Sequence, residues 1–230
     1  MPPLDILFHD AHLVAINKPH GLLVHRSPLA ADAREFAVQV LRDQLGQRVW
    51  PAHRLDRKTG GVLLFSLSEA TNAAMQQQFM NGQVGKTYLA IVRGHTPDTL
   101  TIDYPLRHED SGTLQEAVTY LTTRHRTEIP LPHGKHATSR YSLVELNPQT
   151  GRMHQLRRHM AHIFHPIIGD RPHGCNKQNR LFLAHFRMNT MLLHARRLQF
   201  AHPVSGEAIA INAPWQAEFD RMWRVLFQAV

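Results

Sequence analysis

An unbroken apolar run, Gly61-Val-Leu-Leu-Phe65, follows directly after a highly charged segment of the chain. The run is far too short for a membrane helix, which needs roughly 20 apolar residues. Short apolar runs bounded by turn residues are typical of strands that are covered on both faces. We therefore predict a strand from Gly61 to Ser66 with both faces buried, and hence a sheet that other elements cover.

Strand-like and helix-like patterns mix along the rest of the chain. They do not alternate strictly, which favours an α+β fold over a doubly wound sheet. The other predicted strands are Ile6–His9, Leu13–Asn17, Lys86–Arg93 and Thr138–Pro148, with a hairpin around Ser205–Gly206. The predicted helices are Arg34–Leu45 (ending at Gly46), Ser68–Phe79 (capped by Ser68), Met153–Ile163 and Trp215–Phe227, and Pro130–Ala137 is a predicted loop.

The length and composition predict one globular domain. A chain of 230 residues can bury a substantial core, and no repeat, low-complexity tract or long linker divides it. The start, Met1-Pro-Pro-Leu-Asp5, lacks the basic and apolar regions of a secretory signal. The single cysteine, Cys175, excludes an intrachain disulfide framework and fits a reducing compartment. We therefore expect a cytoplasmic protein that does not interact with a membrane.

The charge balance is the first indication of function. Twenty-six Lys and Arg residues stand against 18 Asp and Glu residues, which gives a net charge of +8, and 18 histidines add further cationic capacity. Such an excess favours polyanionic partners, of which nucleic acid is the commonest. The alternative is an enzyme that is merely basic.

One acidic residue, Asp56, lies among Arg54, Arg57 and Lys58 just before the predicted buried strand. Two interpretations are open from these residues alone. The four side chains form a salt-bridged surface turn, or Asp56 is a nucleophilic carboxylate inside a site that binds a polyanion.

Two familiar motifs are similar to parts of the chain but do not match. Gly82–Thr87 ends as a phosphate-binding loop does, yet Met80 stands where that loop needs its first glycine, and a predicted helix precedes it. The His53–Asp56 segment differs from the kinase His-Arg-Asp loop because Leu55 intervenes, and no Asp-Phe-Gly follows.

The segment Thr150–Asp170 is the richest in candidate binding residues. Its basic side chains open a predicted helix, and a solvated basic face is the alternative interpretation. No zinc signature occurs, and the histidine spacing would spread the imidazoles around the helix, so we expect no metal. The basic residues at the start of the helix are Arg152, His154, Arg157 and Arg158, and the histidines are His154, His159, His162 and His165.

Four blocks of this chain, in order, resemble the signatures of the pseudouridine synthases related to ribosomal synthase A. The resemblance covers nearly the whole chain and is highly specific. It implies the α+β fold of those enzymes, with a mixed, largely antiparallel central sheet, flanking helices and RNA-gripping loops. It also implies a single catalytic domain over residues 1–230 without an S4-type RNA-binding domain. The blocks are Ile16–His25, Arg54–Gly61, Lys86–Gly94, and Gly151–Arg157 with His165–Asp170.

Further stretches are similar to a branch of this family that acts on tRNA. The similarity implies isomerisation of uridine to pseudouridine in tRNA, at position sixty-five, where the T stem meets the acceptor stem. It also implies a monomer without an obligatory protein partner. The same reaction on a ribosomal RNA uridine is an alternative. The stretches are Leu22–Ser27, Gln155–Asp170, His173–Arg180 and Met191–Ala195.

The resemblance implies three catalytic residues. Asp56 is the nucleophile, Arg157 is its ion-pair partner, and Tyr88 stacks on the uracil and assists proton removal from its C5 atom. The reaction exchanges a C–N bond for a C–C bond without oxidation or hydrolysis, so a carboxylate suffices and no cofactor is expected. Desolvation in a sealed site favours the neutral acid, and a guanidinium opposes that effect. Attack on the base and attack on the ribose both remain open.

Gly60 departs from the family pattern, which has Ser or Thr there, so any hydrogen bond from that hydroxyl is absent. The resemblance further implies a set of RNA-contacting residues. Within that set, Arg54 fills the space of the everted base or grips a phosphate, and Leu156 forms an apolar wall. The set is Arg54, Arg57, Lys86, Arg152, His154, Leu156 and Arg158.

Two other classes of function compete with the enzyme. One is an RNA-binding or RNA-folding protein on the same scaffold without catalysis, and the other is a metal-dependent nuclease built on the histidines. The presence of Asp56, Tyr88 and Arg157 together favours the synthase, because binding a polyanion does not require an acid.

Overall fold

The computed structural model describes residues 2–25 and 35–228 of the chain. Within these ranges the chain forms twelve strands, five α-helices and a π-helical turn. The strands are β1 (Ile6–His9), β2 (Leu13–Lys18), β3 (Trp50–Pro51), β4 (Gly60–Ser66), β5 (Gly85–Arg93), β6 (Thr99–Asp103), β7 (Leu106–Arg107), β8 (Leu114–Gln115), β9 (Val118–Ile129), β10 (Ser139–Pro148), β11 (Leu193–Ala201) and β12 (Ala208–Asn212). The helices are α1 (Ala37–Leu45), α2 (Glu69–Met80), α3 (Gln155–His162), α4 (Asn176–Phe186) and α5 (Ala217–Trp223), which the π-helical turn Arg224–Gln228 follows.

The chain divides into two compact units. The first comprises Met1–Lys86 and Ala195–Gln216, and the second comprises Thr87–His194 and Ala217–Val230. Each unit contains helices and mostly antiparallel strands, in agreement with the predicted α+β class. Among the described residues, no helix is both long and apolar enough to cross a membrane.

The first unit is built around β4, whose seven residues are all buried. The strand order is β1-β2-β4-β11, with β12 on β11 and β3 on β4. Leu13, Leu64 and Phe200 from three of these strands pack with Met75 of α2 in one apolar cluster. The prediction of a strand with two buried faces is therefore confirmed, and its apolar run supplies the centre of this unit.

The second unit has the strand order β5-β10-β9-β6. The strands β9 and β10 form a long antiparallel hairpin whose pairing starts at Ile129 and Ser139. The helix α3 buries Leu156 and Met160 against strand residues such as Val92. This packing follows from the helical spacing of Leu156 and Met160, which puts both on one face of α3.

Local end signals place several boundaries as predicted. The Ser68 side chain accepts a 3.1 Å hydrogen bond from the Thr71 amide and caps α2. Gly46 has a φ of 66° and ends α1. The predicted start of that helix at Arg34 lies outside the described residues. The helix α3 begins at Gln155 rather than at Met153 because His154, with a φ of 53°, stands in the left-handed region at its N-cap.

Two elements carry weaker signals. The helix α4 was not predicted, since its N-cap residue Cys175 makes no capping hydrogen bond. The predicted helix Trp215–Phe227 starts two residues later than expected, and only part of it is α-helical. It is α-helical over Ala217–Trp223 and continues as the π-helical turn Arg224–Gln228.

Candidate active site

Asp56 lies in the first unit, in the turn that leads into β4. The Thr59 amide donates a 3.0 Å hydrogen bond to the Asp56 carbonyl and closes the turn. Leu55 and Thr59 are buried on either side, whereas the Asp56 side chain is half-buried. The turn is therefore anchored in the core while the carboxylate stays near the surface.

A buried lysine at the end of β2 holds this turn. Lys18 is 0% exposed, and its Nζ donates hydrogen bonds to the carbonyls of Pro19 (3.0 Å), Leu22 (2.8 Å) and Arg57 (3.2 Å). Burial lowers the pKa of Lys18 from 10.5 to about 7, although the charge of Asp56 acts in the opposite direction. Lys18 thus links two loops beside the candidate nucleophile, and its charge changes near neutral pH.

Arg57 connects the same two loops from the other side. Its Nε donates to the Gly21 carbonyl at 3.1 Å, and the Gly21 amide donates back to the Arg57 carbonyl at 2.8 Å. Gly21 has a φ of 85°, in the left-handed region that favours glycine. Arg57, a predicted RNA contact, therefore also fixes the local backbone.

His53 stands three residues before Asp56 and is held as a neutral imidazole. Its Nε2 accepts a 3.1 Å hydrogen bond from the Leu64 amide of β4, and its ring lies 5.0 Å from that of Phe79. Burial lowers the pKa of His53 to about 4, and the charge of Lys86 lowers it further. Because the ring is neutral at physiological pH, its Nε2 can accept the hydrogen bond from Leu64.

Arg54 and Lys86 complete the predicted residues of the first unit. Arg54 is exposed, as expected for a side chain that meets a substrate. Lys86 is half-buried, and burial lowers its pKa below the ordinary value. The first unit thus contains Asp56 and three of the predicted RNA-binding cations, Arg54, Arg57 and Lys86.

Arg157 lies in the second unit, on α3, and forms a buried ion pair with Asp170. Its Nε and Nη2 donate to Oδ2 and Oδ1 of Asp170, each at 2.8 Å. The two side chains are 8% and 0% exposed. Such a two-pronged arrangement fixes the guanidinium plane, which a lysine could not reproduce.

The turn that carries Asp170 is itself clamped. Asn179 of α4 accepts a 2.9 Å hydrogen bond from the Gly169 amide and donates one of 2.7 Å to the Asp170 carbonyl. Gly169 has a φ of 82°, and a Cβ added there would lie 1.7 Å from the Thr190 carbonyl oxygen. Because only glycine fits this close approach, the backbone beside Asp170 packs directly against that of Thr190.

Tyr88 and Leu156 lie against the core of the second unit. Tyr88 is half-buried on β5, opposite Leu146 of β10, and packs against the apolar cluster that contains Leu156. Leu156 is 7% exposed. Packing in the core thus accounts for the position of both side chains. Their predicted contacts with a base stay predictions.

The remaining predicted RNA contacts surround the start of α3. Arg152 Nε donates to the Glu116 carbonyl at 2.9 Å, and Arg158 Nη1 donates to the Arg107 carbonyl at 2.9 Å. His154 lies 3.1 Å from His173 between their ring nitrogens. The two arginine bonds tie the helix start to the β7–β8 region, so Arg152 and Arg158 have a structural role in addition to their predicted contacts with RNA.

The other histidines of this segment are engaged in the fold. His159 is buried and bonds through its two ring nitrogens to Thr119 Oγ1 and to the Tyr104 carbonyl, both at 3.0 Å. His162 stacks on Tyr104 with ring centroids 3.6 Å apart, and His165 bonds to the Arg93 carbonyl. Among the described residues, no group of three or more His, Cys, Asp or Glu side chains has an arrangement that could hold a metal ion.

A family model supplies the decisive comparison. The model of the RNA pseudouridylate synthases matches residues 12–162, more than half of the chain. The chain belongs to this family. The predicted family and reaction class, an intramolecular isomerase that forms pseudouridine in RNA, are therefore confirmed.

Two curated relatives of this synthase are called tRNA pseudouridine synthase C. The protein from Pectobacterium carotovorum subsp. carotovorum is 49% identical over 94% of this chain, and the chain spans only 60% of that relative's length. The protein from Vibrio cholerae is 46% identical, with 97% of this chain and 94% of the relative covered.

A solved structure confirms the fold of the synthase. It is that of human RNA pseudouridylate synthase domain containing 1, with a TM-score of 0.73 and 24% identity. The alignment covers 95% of this chain and 86% of the human one. The predicted α+β pseudouridine synthase fold is therefore confirmed.

Sequence reasoning missed several residues that shape the candidate site. Lys18 and Asp170 lie inside recognised signature blocks, so their position in those blocks was an available signal. His53 directly precedes a signature block and offered a similar one. Asn179 lies in His173–Arg180, a stretch similar to the tRNA branch of the family, but its role as a clamp shows only in the folded chain.

Proposed function

We propose that this protein isomerises uridine to pseudouridine in tRNA, at position sixty-five, where the T stem meets the acceptor stem. Two relatives that are 49% and 46% identical carry the name tRNA pseudouridine synthase C, which supports tRNA as the substrate class. The net charge of +8 supports a polyanionic substrate. A ribosomal RNA uridine is the alternative target of the same reaction.

Asp56 is the nucleophile in this proposal, and the geometry of its turn carries it. The side chain is half-buried on a turn whose backbone is held by Lys18, Gly21 and Thr59. A fixed carboxylate that remains partly accessible suits attack on a substrate placed against it. A surface ion pair would not require a buried lysine to organise the adjacent loops.

Arg157 and Tyr88 act with Asp56 in the proposed reaction. Arg157 is its ion-pair partner, and the pair with Asp170 supports this role because it fixes the guanidinium plane. Tyr88 stacks on the uracil and assists removal of the C5 proton. Base–aromatic stacking is worth roughly 1–3 kcal/mol, comparable with the few kcal/mol needed to evert a base.

The basic residues of both units bind the RNA in this proposal. Arg54 is exposed, which suits a side chain that replaces the everted base or grips a phosphate. Leu156 forms the apolar wall. The remaining proposed RNA contacts are Arg57, Lys86, Arg152, His154 and Arg158.

The protein acts as one catalytic domain over residues 1–230 and as a monomer in the cytoplasm. It needs neither a cofactor nor a protein partner, because isomerisation consumes no oxidant, water or nucleotide. Only the lack of a cofactor follows from the reaction class, and the single domain, the monomeric state and the cytoplasmic location are further parts of the same proposal.

Carbodiimide mapping of pseudouridine in total RNA, with and without this protein, tests the reaction and its target together. The purified wild-type protein should modify an unmodified tRNA transcript in excess chelator. Asp56→Asn should bind the transcript and form no pseudouridine, since the amide is not a nucleophile. Asp43→Asn, an equivalent change at an acid that is 67% exposed on α1, should leave the rate unchanged.

Different results would contradict different parts of the proposal. Product formed by Asp56→Asn at the wild-type rate would remove the assigned nucleophile. A signal at a ribosomal uridine alone would replace the tRNA target. Tight tRNA binding by the wild-type protein without any product would favour the RNA-binding alternative, and loss of activity in chelator would favour a metal-dependent enzyme.

A further inference from the structure

Gly60 lies at the start of β4, four residues after Asp56, and another side chain occupies the space beside it. A Cβ added at Gly60 would lie 2.7 Å from Cδ and 2.8 Å from Nε2 of Gln216, and 3.0 Å from Cδ2 of His20. Real Cβ contacts are essentially never shorter than 3.0 Å. Any larger residue at position 60 must therefore displace the Gln216 amide.

The Gln216 amide ends a flexible side chain, but hydrogen bonds hold it in place, so moving it strains those bonds. Its Oε1 accepts from the His20 amide at 3.0 Å, and its Nε2 donates to the Lys18 carbonyl at 2.6 Å. A third contact of 3.3 Å joins Nε2 to Asn17 Oδ1. The amide thus binds the backbone on either side of Pro19, at the start of the loop that Lys18 organises.

A continuous set of hydrogen bonds runs from this loop to the turn of Asp56. Lys18 Nζ joins the loop carbonyl of Leu22 to that of Arg57, and the Gly21 amide donates to the same Arg57 carbonyl. Arg57 directly follows Asp56 in the chain. Gln216 is therefore connected to the candidate nucleophile through one lysine and one loop, all within the first unit.

We propose that Gln216 is a positioning residue that takes the place of the side chain missing at Gly60. Its amide fills the space that a Ser or Thr at position 60 would enter, and it fixes the loop at Pro19, which Lys18 and Gly21 join to the turn of Asp56. The side chains at positions 60 and 216 then compete for the same space, so one must be small when the other is long. This inference rests on the proposed role of Asp56.

Three variants test this exchange by single-turnover kinetics on a tRNA transcript. Gln216→Ala should lower the rate about tenfold, as loss of two backbone hydrogen bonds implies, and leave RNA affinity within about twofold. Gly60→Ser should lower the rate by a similar factor, because it displaces the amide. Gly60→Ser combined with Gln216→Ala should be at least about threefold faster than Gln216→Ala alone.

Gly60→Ala in the Gln216→Ala background separates space from hydrogen bonding. The alanine also fits once the amide is gone, but it has no hydroxyl, so it should not restore the rate. If Gly60→Ala and Gly60→Ser gave equal rates in the Gln216→Ala background, the proposal that the two positions exchange hydrogen bonds would be overturned. Gln76→Ala, the same change at an exposed position of α2, is the matched control and should keep the wild-type rate.

Thermal unfolding of the same variants provides a measurement that does not depend on activity. Residues in contact have non-additive effects on stability, whereas independent residues have additive ones. Additive changes for positions 60 and 216 would overturn the inferred contact, even in an active enzyme. The wild-type protein could form no pseudouridine while the changes at positions 60 and 216 have non-additive effects on unfolding. That result would reject the proposed function but support the contact between the two positions.

Discussion

Lys18 gives the sharpest test of the electrostatics beside Asp56. Its Nζ is fully buried among three carbonyl oxygens, and burial lowers its pKa from 10.5 to about 7. In the unfolded chain a lysine keeps its proton up to a pH near 10.4. The native protein therefore releases this proton at a much lower pH than the unfolded chain does.

The sign of the effect on stability follows from the proton count. Between about pH 7 and about pH 10 the unfolded chain binds more protons at Lys18 than the native protein does, so the free energy of unfolding rises with pH. Each pH unit contributes up to about 1.4 kcal/mol. The native lysine is half protonated at about pH 7. Between about pH 7 and about pH 9, Lys18 should therefore raise the free energy of unfolding by about 2 kcal/mol.

Urea unfolding at several pH values, in wild-type protein and in Lys18→Met, measures this contribution. Other groups titrate in both proteins and cancel in the difference. Methionine removes the charge at similar volume, and although it lowers stability by leaving carbonyls without their donor, it should remove the rise with pH. Identical pH dependence in the two proteins would refute the depressed pKa of Lys18.

Nuclear magnetic resonance can observe the same lysine directly. The Cε resonance of Lys18 should titrate near pH 7 in the wild-type protein. Because the charge of Asp56 raises the pKa of Lys18, Asp56→Asn should move this titration to a lower pH. A midpoint near 10.5, or no change in Asp56→Asn, would contradict the proximity of the two charges.

Two further results are expected. Asp170→Asn should lower the free energy of unfolding by about 3–5 kcal/mol, since it removes one charge of a buried two-pronged ion pair, and it should lower turnover. The same change at Asp98, which is 88% exposed beside Arg126, should lower the free energy of unfolding by less than about 1 kcal/mol in urea. Binding of tRNA should weaken steeply with salt in a filter-binding or fluorescence titration, because phosphate contacts release counterions. Comparable losses at Asp170 and Asp98, or salt-independent affinity, would contradict these expectations.

Local patterns were sufficient to predict the elements whose causes are local. The apolar run of β4 and the Ser68 cap of α2 each act within a few residues, and both were found where the sequence placed them. The helix α4 has no side-chain N-cap, and an arginine, Arg187, adopts the left-handed conformation at its C-terminal end, so neither end carries the usual sequence signal. His154 was predicted inside a helix but adopts a left-handed backbone, which no periodicity indicates.

The signature blocks indicated which residues carry chemistry but not what holds them in place. Lys18 and Asp170 stand inside those blocks, but each contacts a residue from another part of the chain. Lys18 and Arg57 are 39 residues apart in the sequence, and Arg157 and Asp170 are 13 residues apart. Gln216 is 196 residues from His20. Contacts at such separations depend on the folded chain, so a single sequence cannot reveal them.

The departure at Gly60 shows how far a motif can change while its physical task is kept. A hydroxyl near a turn contributes a hydrogen bond worth about 1 kcal/mol, and a glutamine amide from another segment can supply bonds of the same strength. Geometry then limits the exchange, because a Cβ at position 60 and the amide of Gln216 cannot share one space. A change at either position alone should therefore be harmful, and the same two changes made together should be tolerated. Missing motif residues in related chains are accordingly better judged by what occupies the space of the lost side chain than by the loss itself.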